Sequence, residues 1–110
     1  MSRLELLTVG EAFQDLIFVG LPHMPRSGEE VRTARFVSAI GGGAVITAAA
    51  GARLGLRTAL ISALPAEHAW GDRTVRELTG HGVDCSGVVP ANAVQQARMS
   101  RSADIFIFTP

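Results

Sequence analysis

The stretch Ala39-Ile40-Gly41-Gly42-Gly43-Ala44-Val45-Ile46-Thr47-Ala48-Ala49-Ala50-Gly51-Ala52-Arg53-Leu54-Gly55 constrains the fold more than any other. Consecutive glycines run straight into a segment of small residues that stops at another glycine. Alanine carries the lowest cost of helix formation, so the segment predicts a helix over Ala44 to Leu54. Its small side chains permit close packing on a sheet, and Gly55 supplies a left-handed cap. Only Thr47 and Arg53 are polar, which predicts that most of the helix circumference is buried. The glycines leave backbone N–H groups unblocked at the positive end of the helix dipole, a place suited to a polar or anionic ligand.

The flanking sequence supplies strands for this helix to pack on. Leu4 to Val9 becomes apolar and closes at Gly10, the pattern of a buried strand opening a parallel sheet. Asp15 precedes a second apolar run, Leu16 to Val19. Gly20, Pro22, Pro25, Ser27 and Gly28 then predict a turn-rich loop. Val31 to Val37 alternates and reads as a third strand, paired with the second as a projecting hairpin.

Beyond the helix, Thr58 to Ala63 is another strand, with a loop starting at Pro65. Asp72 to Thr79 reads as an amphipathic helix with Val75 and Leu78 inward and Arg73, Arg76 and Glu77 outward, ended by Gly80 and Gly82. Val88-Val89 forms a short strand stopped by Pro90. Asn92 to Met99 and Ile105 to Phe108 supply two more. Alternating strands and helices predict an α/β architecture with a mainly parallel sheet.

Composition removes several chemistries. All ten basic residues are arginines, so a Schiff-base lysine, a lysine base and a P-loop lysine are excluded within this chain. The formal net charge is zero, which leaves no electrostatic footprint for nucleic acid or an anionic membrane. The lone Cys85 forms no intramolecular disulfide or cysteine zinc cluster, and His23, His68 and His81 lack metal-ligand spacing, so no metal site is expected. No leader peptide is legible after Met1, and no apolar run approaches the ~20 residues that span a bilayer. A cytoplasmic chain is expected. The hydrophobic share of 47% is high for a short chain and predicts apolar faces that meet something else.

A dinucleotide-binding loop is disfavoured. The G-x-G-x-x-G spacing fails at Ile46, and the strand Thr58 to Ala63 carries no acidic residue to hold a ribose.

In order and spacing, several features resemble the amino-terminal part of the ribokinase-like, or PfkB, carbohydrate kinases. They are Val9-Gly10 followed by Asp15, Pro25-x-x-Gly28-Glu29, Gly41-Gly42-Gly43-Ala44 leading to Ala52-Arg53-Leu54-Gly55, then Gly71 and Gly82-Val83-Asp84. The resemblance implies that residues 1–110 form a fragment of a ribokinase-like three-layer sandwich. It has a mainly parallel sheet and a small projecting β lid, made of strands at about 15–19 and 31–37. It implies substrate binding by Asp15, whose carboxylate accepts hydroxyl hydrogen bonds, and by the backbone of Gly41 and Gly42, with Gly43 nearby. The lid is also implied as a possible homodimer interface.

Two departures bear on substrate. Ile46 stands where the family commonly has an asparagine, and a side chain that neither donates nor accepts favours a less hydroxylated ligand, or weak or no sugar binding. Ala66-Glu67-His68 replaces a glycine–aspartate pattern. The resemblance places the catalytic base, the anion hole and the ATP-binding half in a carboxyl-terminal region absent from these residues. No catalytic residue is therefore assigned in this chain. ATP and Mg2+ are implied for the full-length enzyme, and neither is expected to bind this chain alone. The expected function is the substrate-binding portion of an ATP-dependent sugar kinase, inactive in isolation. The alternatives are a nucleoside kinase fragment, a non-catalytic small-polyol-binding or dimerisation module, and a marginally folded truncated product. The particular sugar, the hydroxyl phosphorylated and the oligomeric state are not legible.

Overall fold

The computed structural model describes residues 3–65, 69–91, 98–102 and 105–109. The elements run β1 (Leu6–Val9), β2 (Phe13–Val19), β3 (Arg35–Gly41), α1 (Gly43–Arg53), β4 (Thr58–Pro65), α2 (Ala69–Gly80), β5 (Val83–Ala91), β6 (Arg98–Ser102) and β7 (Ile105–Thr109). They divide into two compact units, one of Met1–Phe13 with Ile40–Val94 and one of Gln14–Ala39 with Gln95–Pro110.

The first unit is an α/β layer. Its sheet has the order β1-β4-β5, and both pairings are parallel. Leu6 opposes Thr58 and Val9 opposes Ile61, while Thr58 opposes Val83 and Ala63 opposes Val89. Each crossover steps to the next strand in the same direction. Right-handed crossovers then place both helices on one face of the sheet.

One core cluster confirms this, uniting Val45 and Ala48 of α1, Leu60 and Leu64 of β4, Leu78 of α2 and Val83 of β5. Fully burying a side chain the size of Leu60 or Leu78 contributes about 1.5–3 kcal/mol. The opposite face of the sheet carries Leu7, Val9, Ile61 and Val89, all exposed. Parallel sheets are ordinarily covered on both faces, so these four residues account for part of the apolar excess of the sequence.

Helix α1, expected over Ala44 to Leu54, lies one residue earlier at each end, and Gly55 closes it as expected. The Gly55 N–H donates to Ala52 O at 3.0 Å and the Leu56 N–H to Gly51 O at 3.0 Å, with Gly55 at φ 88°. This paired closure of the last turn requires the left-handed conformation that glycine adopts without a Cβ penalty. The expectation of a mostly buried circumference fails, because a sheet covers only one side of the helix. Val45, Ala48 and Gly51 are buried along one stripe, whereas Ile46, Thr47 and Ala50 are exposed.

Helix α2 starts three residues before its predicted Asp72 and buries Thr74 beside Val75 and Leu78. Strand β5 runs from Val83 through Pro90, where a stop was predicted, with Pro90 opposite Leu64. It is an edge strand, and an edge tolerates a residue that lacks an N–H on its outward side. Likewise Pro65 ends β4 and does not open a loop.

The second unit is a four-stranded sheet of order β3-β2-β7-β6. Strands β2 and β7 pair antiparallel, Leu16 opposing Phe108 and Val19 opposing Ile105. Strands β7 and β6 also pair antiparallel. Gln14 Nε2 donates to Ser38 Oγ at 3.0 Å, and Thr33 Oγ1 donates to Val19 O at 2.6 Å. These contacts run in opposite senses, so β2 and β3 form the expected antiparallel hairpin, extended here by two further strands.

The third strand was expected at 31–37 and lies at Arg35–Gly41. Thr33 is withdrawn from the ladder because its hydroxyl binds the Val19 carbonyl and accepts from the Arg35 N–H at 3.1 Å. Of the strand expected over 92–99, residues 92–97 lie outside the described residues, as does the Ala66-Glu67-His68 stretch. Among the described residues, no helix is long and apolar enough to cross a membrane.

Candidate functional site

The glycine junction sits where β3 hands over to α1, and its glycines do different work. Gly41 is the buried last residue of β3. Gly42 caps the helix at φ 100° and ψ 139°, without a side-chain cap. Its carbonyl accepts the first helical bond, from the Ile46 N–H at 2.9 Å. A Cβ at Gly42 would collide with the Glu11 carbonyl oxygen and lie 3.3 Å from Ala12 Cα, so this glycine lets the turn after β1 close onto the helix.

Gly43, in contrast, is exposed, and a Cβ there would meet nothing within 4 Å. Gly10 seats the same turn from the other side, a Cβ on it lying 3.0 Å from Ala44 Cβ. The spacing of Val9-Gly10 signals this turn in the sequence, but that Glu11 and Ala12 supply the surface under Gly42 does not follow from it.

The electrostatics of the junction follow from these placements. No acidic residue stands in the first turn of α1, so its positive end is not offset by a side chain of the helix. Ile46 occupies that first turn and is 60% exposed. An exposed isoleucine here offers a ligand an apolar wall and no hydrogen bond. Thr8 Oγ1 of β1 and Ser62 Oγ of β4 are buried with no hydrogen-bond partner among the described residues. Thr8 alternates with the exposed Leu7 and Val9 and therefore faces the helical layer. Both hydroxyls lie in the carboxyl-terminal halves of parallel strands, the end at which open α/β sheets bind ligands.

Asp15 belongs to the second unit. It is the third residue of β2 and half-buried, within a strand that starts at Phe13, two residues before the expected 15. Gln14, Asp15 and Leu16 are consecutive strand positions, and Gln14 is held to Ser38 across the hairpin. The structure thus brings Gly41, Gly42, Gly43 and Ile46 together on one junction and places Asp15 on the antiparallel sheet. Among the described residues, no group of three or more His, Cys, Asp or Glu side chains is gathered to hold a metal ion.

A family model described as pfkB family carbohydrate kinase matches residues 3–97. Solved structures are similar over most of the chain. A ribokinase from Arabidopsis thaliana, complexed with ribose and ATP, is 29% identical with a TM-score of 0.73, the match covering 86% of this chain and 30% of that one. A PfkB protein from Polaromonas sp. JS666 is 27% identical with a TM-score of 0.66, covering 88% and 31%. A fructokinase from Xylella fastidiosa is 25% identical with a TM-score of 0.63, covering 94% and 31%. The chain therefore spans less than a third of the length of these three structures. Among curated proteins nothing matches it.

Proposed function

The chain belongs to the pfkB family of carbohydrate kinases, and on that premise we propose that it is the substrate-binding portion of an ATP-dependent sugar kinase. The observation that carries this reading is the junction at Gly41 to Gly43, where an open glycine begins a helix with no acidic residue in its first turn. Backbone N–H groups at Gly43 and its neighbours would meet ligand hydroxyls there without obstruction. For Asp15 of the second unit we propose a role of its own, as a carboxylate that accepts hydroxyl hydrogen bonds. The ribokinase and fructokinase likenesses support a monosaccharide as the ligand class without choosing one.

Phosphoryl transfer depends on positioning and on electrostatic stabilisation of the transferring group. We assign those tasks, and the binding of ATP and Mg2+, to parts of the enzyme beyond these residues. Among the described residues no cluster of His, Cys, Asp or Glu side chains fits a metal ion. We propose a cytoplasmic setting for that enzyme. Two exposed apolar residues on β3, Phe36 and Val37, support a second role for the antiparallel sheet, as a lid that pairs with another copy.

Titration calorimetry of the chain against ribose, fructose and adenosine tests the reading, together with a coupled ADP-release assay. Saturable binding of a sugar without turnover is expected. Turnover by the pure chain would overturn its assignment as a binding portion, and binding of adenosine alone would favour a nucleoside kinase, the reading that the apolar Ile46 supports. Ile46→Asn restores a polar group at an exposed position, so it should tighten sugar binding with little change in stability. No gain in affinity would count against the junction as the pocket wall.

A further inference from the structure

We propose that His23 is a proton-operated clasp on the loop joining β2 to β3. Both of its ring nitrogens face acceptors: Nδ1 lies 3.1 Å from Met24 O, and Nε2 lies 3.3 Å from Glu29 Oε1. A neutral imidazole has one N–H and satisfies only one of them, whereas the imidazolium donates to both. The protonated ring is therefore the form that matches both acceptors.

Glu29 transmits that choice to the loop backbone. Its other oxygen, Oε2, accepts from the Arg26 N–H at 2.9 Å, and the Glu29 N–H donates back to Arg26 O at 3.0 Å. One carboxylate thus ties the His23 ring to the turn at 26–29. The charged groups around it are few. Arg26 lies on the same turn, and Glu30 is paired with Arg32 at 2.6 Å, so Glu29 is the carboxylate that faces the ring. The base of the loop is held separately, by Thr33 on the Val19 carbonyl.

The sign follows from the donors. Proton uptake adds the second donor and closes the clasp, and rising pH opens it. Side-chain exposures of 51% for His23 and 34% for Glu29 keep the effect small, about two- to fivefold in the closed population at low salt. Any consequence for ligand access rests on the lid reading above, but the clasp itself does not.

The test is amide hydrogen exchange of the full chain by NMR, corrected for intrinsic rates, at pH 5.5 and 7.5. Protection of the Arg26 and Glu29 amides should be two- to fivefold greater at pH 5.5. His23→Gln should abolish the difference, and Glu29→Gln, which keeps an acceptor and removes the charge, should reduce it. Spectra that superimpose away from the loop establish that each variant is folded. Protection in the unsubstituted chain that does not change with pH, or an equal change in His23→Gln, overturns the clasp. Sugar binding is not read in this experiment, so its failure leaves the kinase reading untouched.

Discussion

Adjacent glycines at the helix start should respond to alanine with opposite signs. At Gly42 the backbone holds φ 100° and ψ 139°, a region that L side chains rarely enter, and occupying it costs on the order of 1–3 kcal/mol. The added Cβ would also collide with the Glu11 carbonyl oxygen, with Glu11 C at 3.2 Å and Ala12 Cα at 3.3 Å. These are backbone atoms, which cannot swing aside as a side-chain end does, and overpacking of this kind costs about 1–3 kcal/mol. Gly42→Ala should therefore destabilise the chain by roughly 2–6 kcal/mol, the sum of those two costs.

One residue on, Gly43 is helical and a Cβ there meets nothing within 4 Å, so Gly43→Ala should stabilise by about 0.5–1 kcal/mol through helix propensity. Urea unfolding of the three proteins followed by circular dichroism measures both, provided the slope with denaturant is unchanged. A loss below ~1 kcal/mol at Gly42, under the range just worked, or an equal loss at both glycines, would refute the division of labour.

Other outcomes follow from burial and charge. Leu60 is fully buried at the centre of the parallel sheet, so Leu60→Ala should cost about 2–5 kcal/mol in the same unfolding experiment. The Ser86 N–H donates to Asp84 Oδ1 at 2.9 Å, and this backbone bond, with a second from the Ser86 side chain, lowers the Asp84 carboxyl below its ordinary value. A depressed folded value gives stability that is present above the unfolded value, about 3.9, and is lost as pH falls through the folded one. The stability gap between the unsubstituted chain and Asp84→Asn should therefore shrink on acidification below pH ~4, the carboxylate range, as read from urea midpoints. Burial raises the Cys85 thiol, with the Asp84 charge adding to the rise and a Thr79 hydrogen bond opposing it. Iodoacetamide at pH 8 should alkylate Cys85 more slowly in the folded chain than in urea.

Local chemistry determined the elements whose causes are local. The helix starts at the glycine junction and ends at Gly55 because conformational freedom, alanine propensity and the capping bonds all act within a few residues of each other. The apolar cores of β1, β2, β4 and β7 were legible for the same reason. Tertiary structure decided whatever depends on a partner distant in the chain. Strand β3 slid to Arg35–Gly41 because Thr33 spends its hydroxyl on Val19, and β5 passed through Pro90 because its place in the sheet is an edge. Ile105–Thr109 found its partners in β2 and β6, a pairing that no local pattern specifies. The glycine row shows the boundary within three residues. That it opens a helix is written in the sequence, but that Gly42 is spent on packing against Glu11 and Ala12 while Gly43 stays open was settled only when β1 and its turn folded against α1.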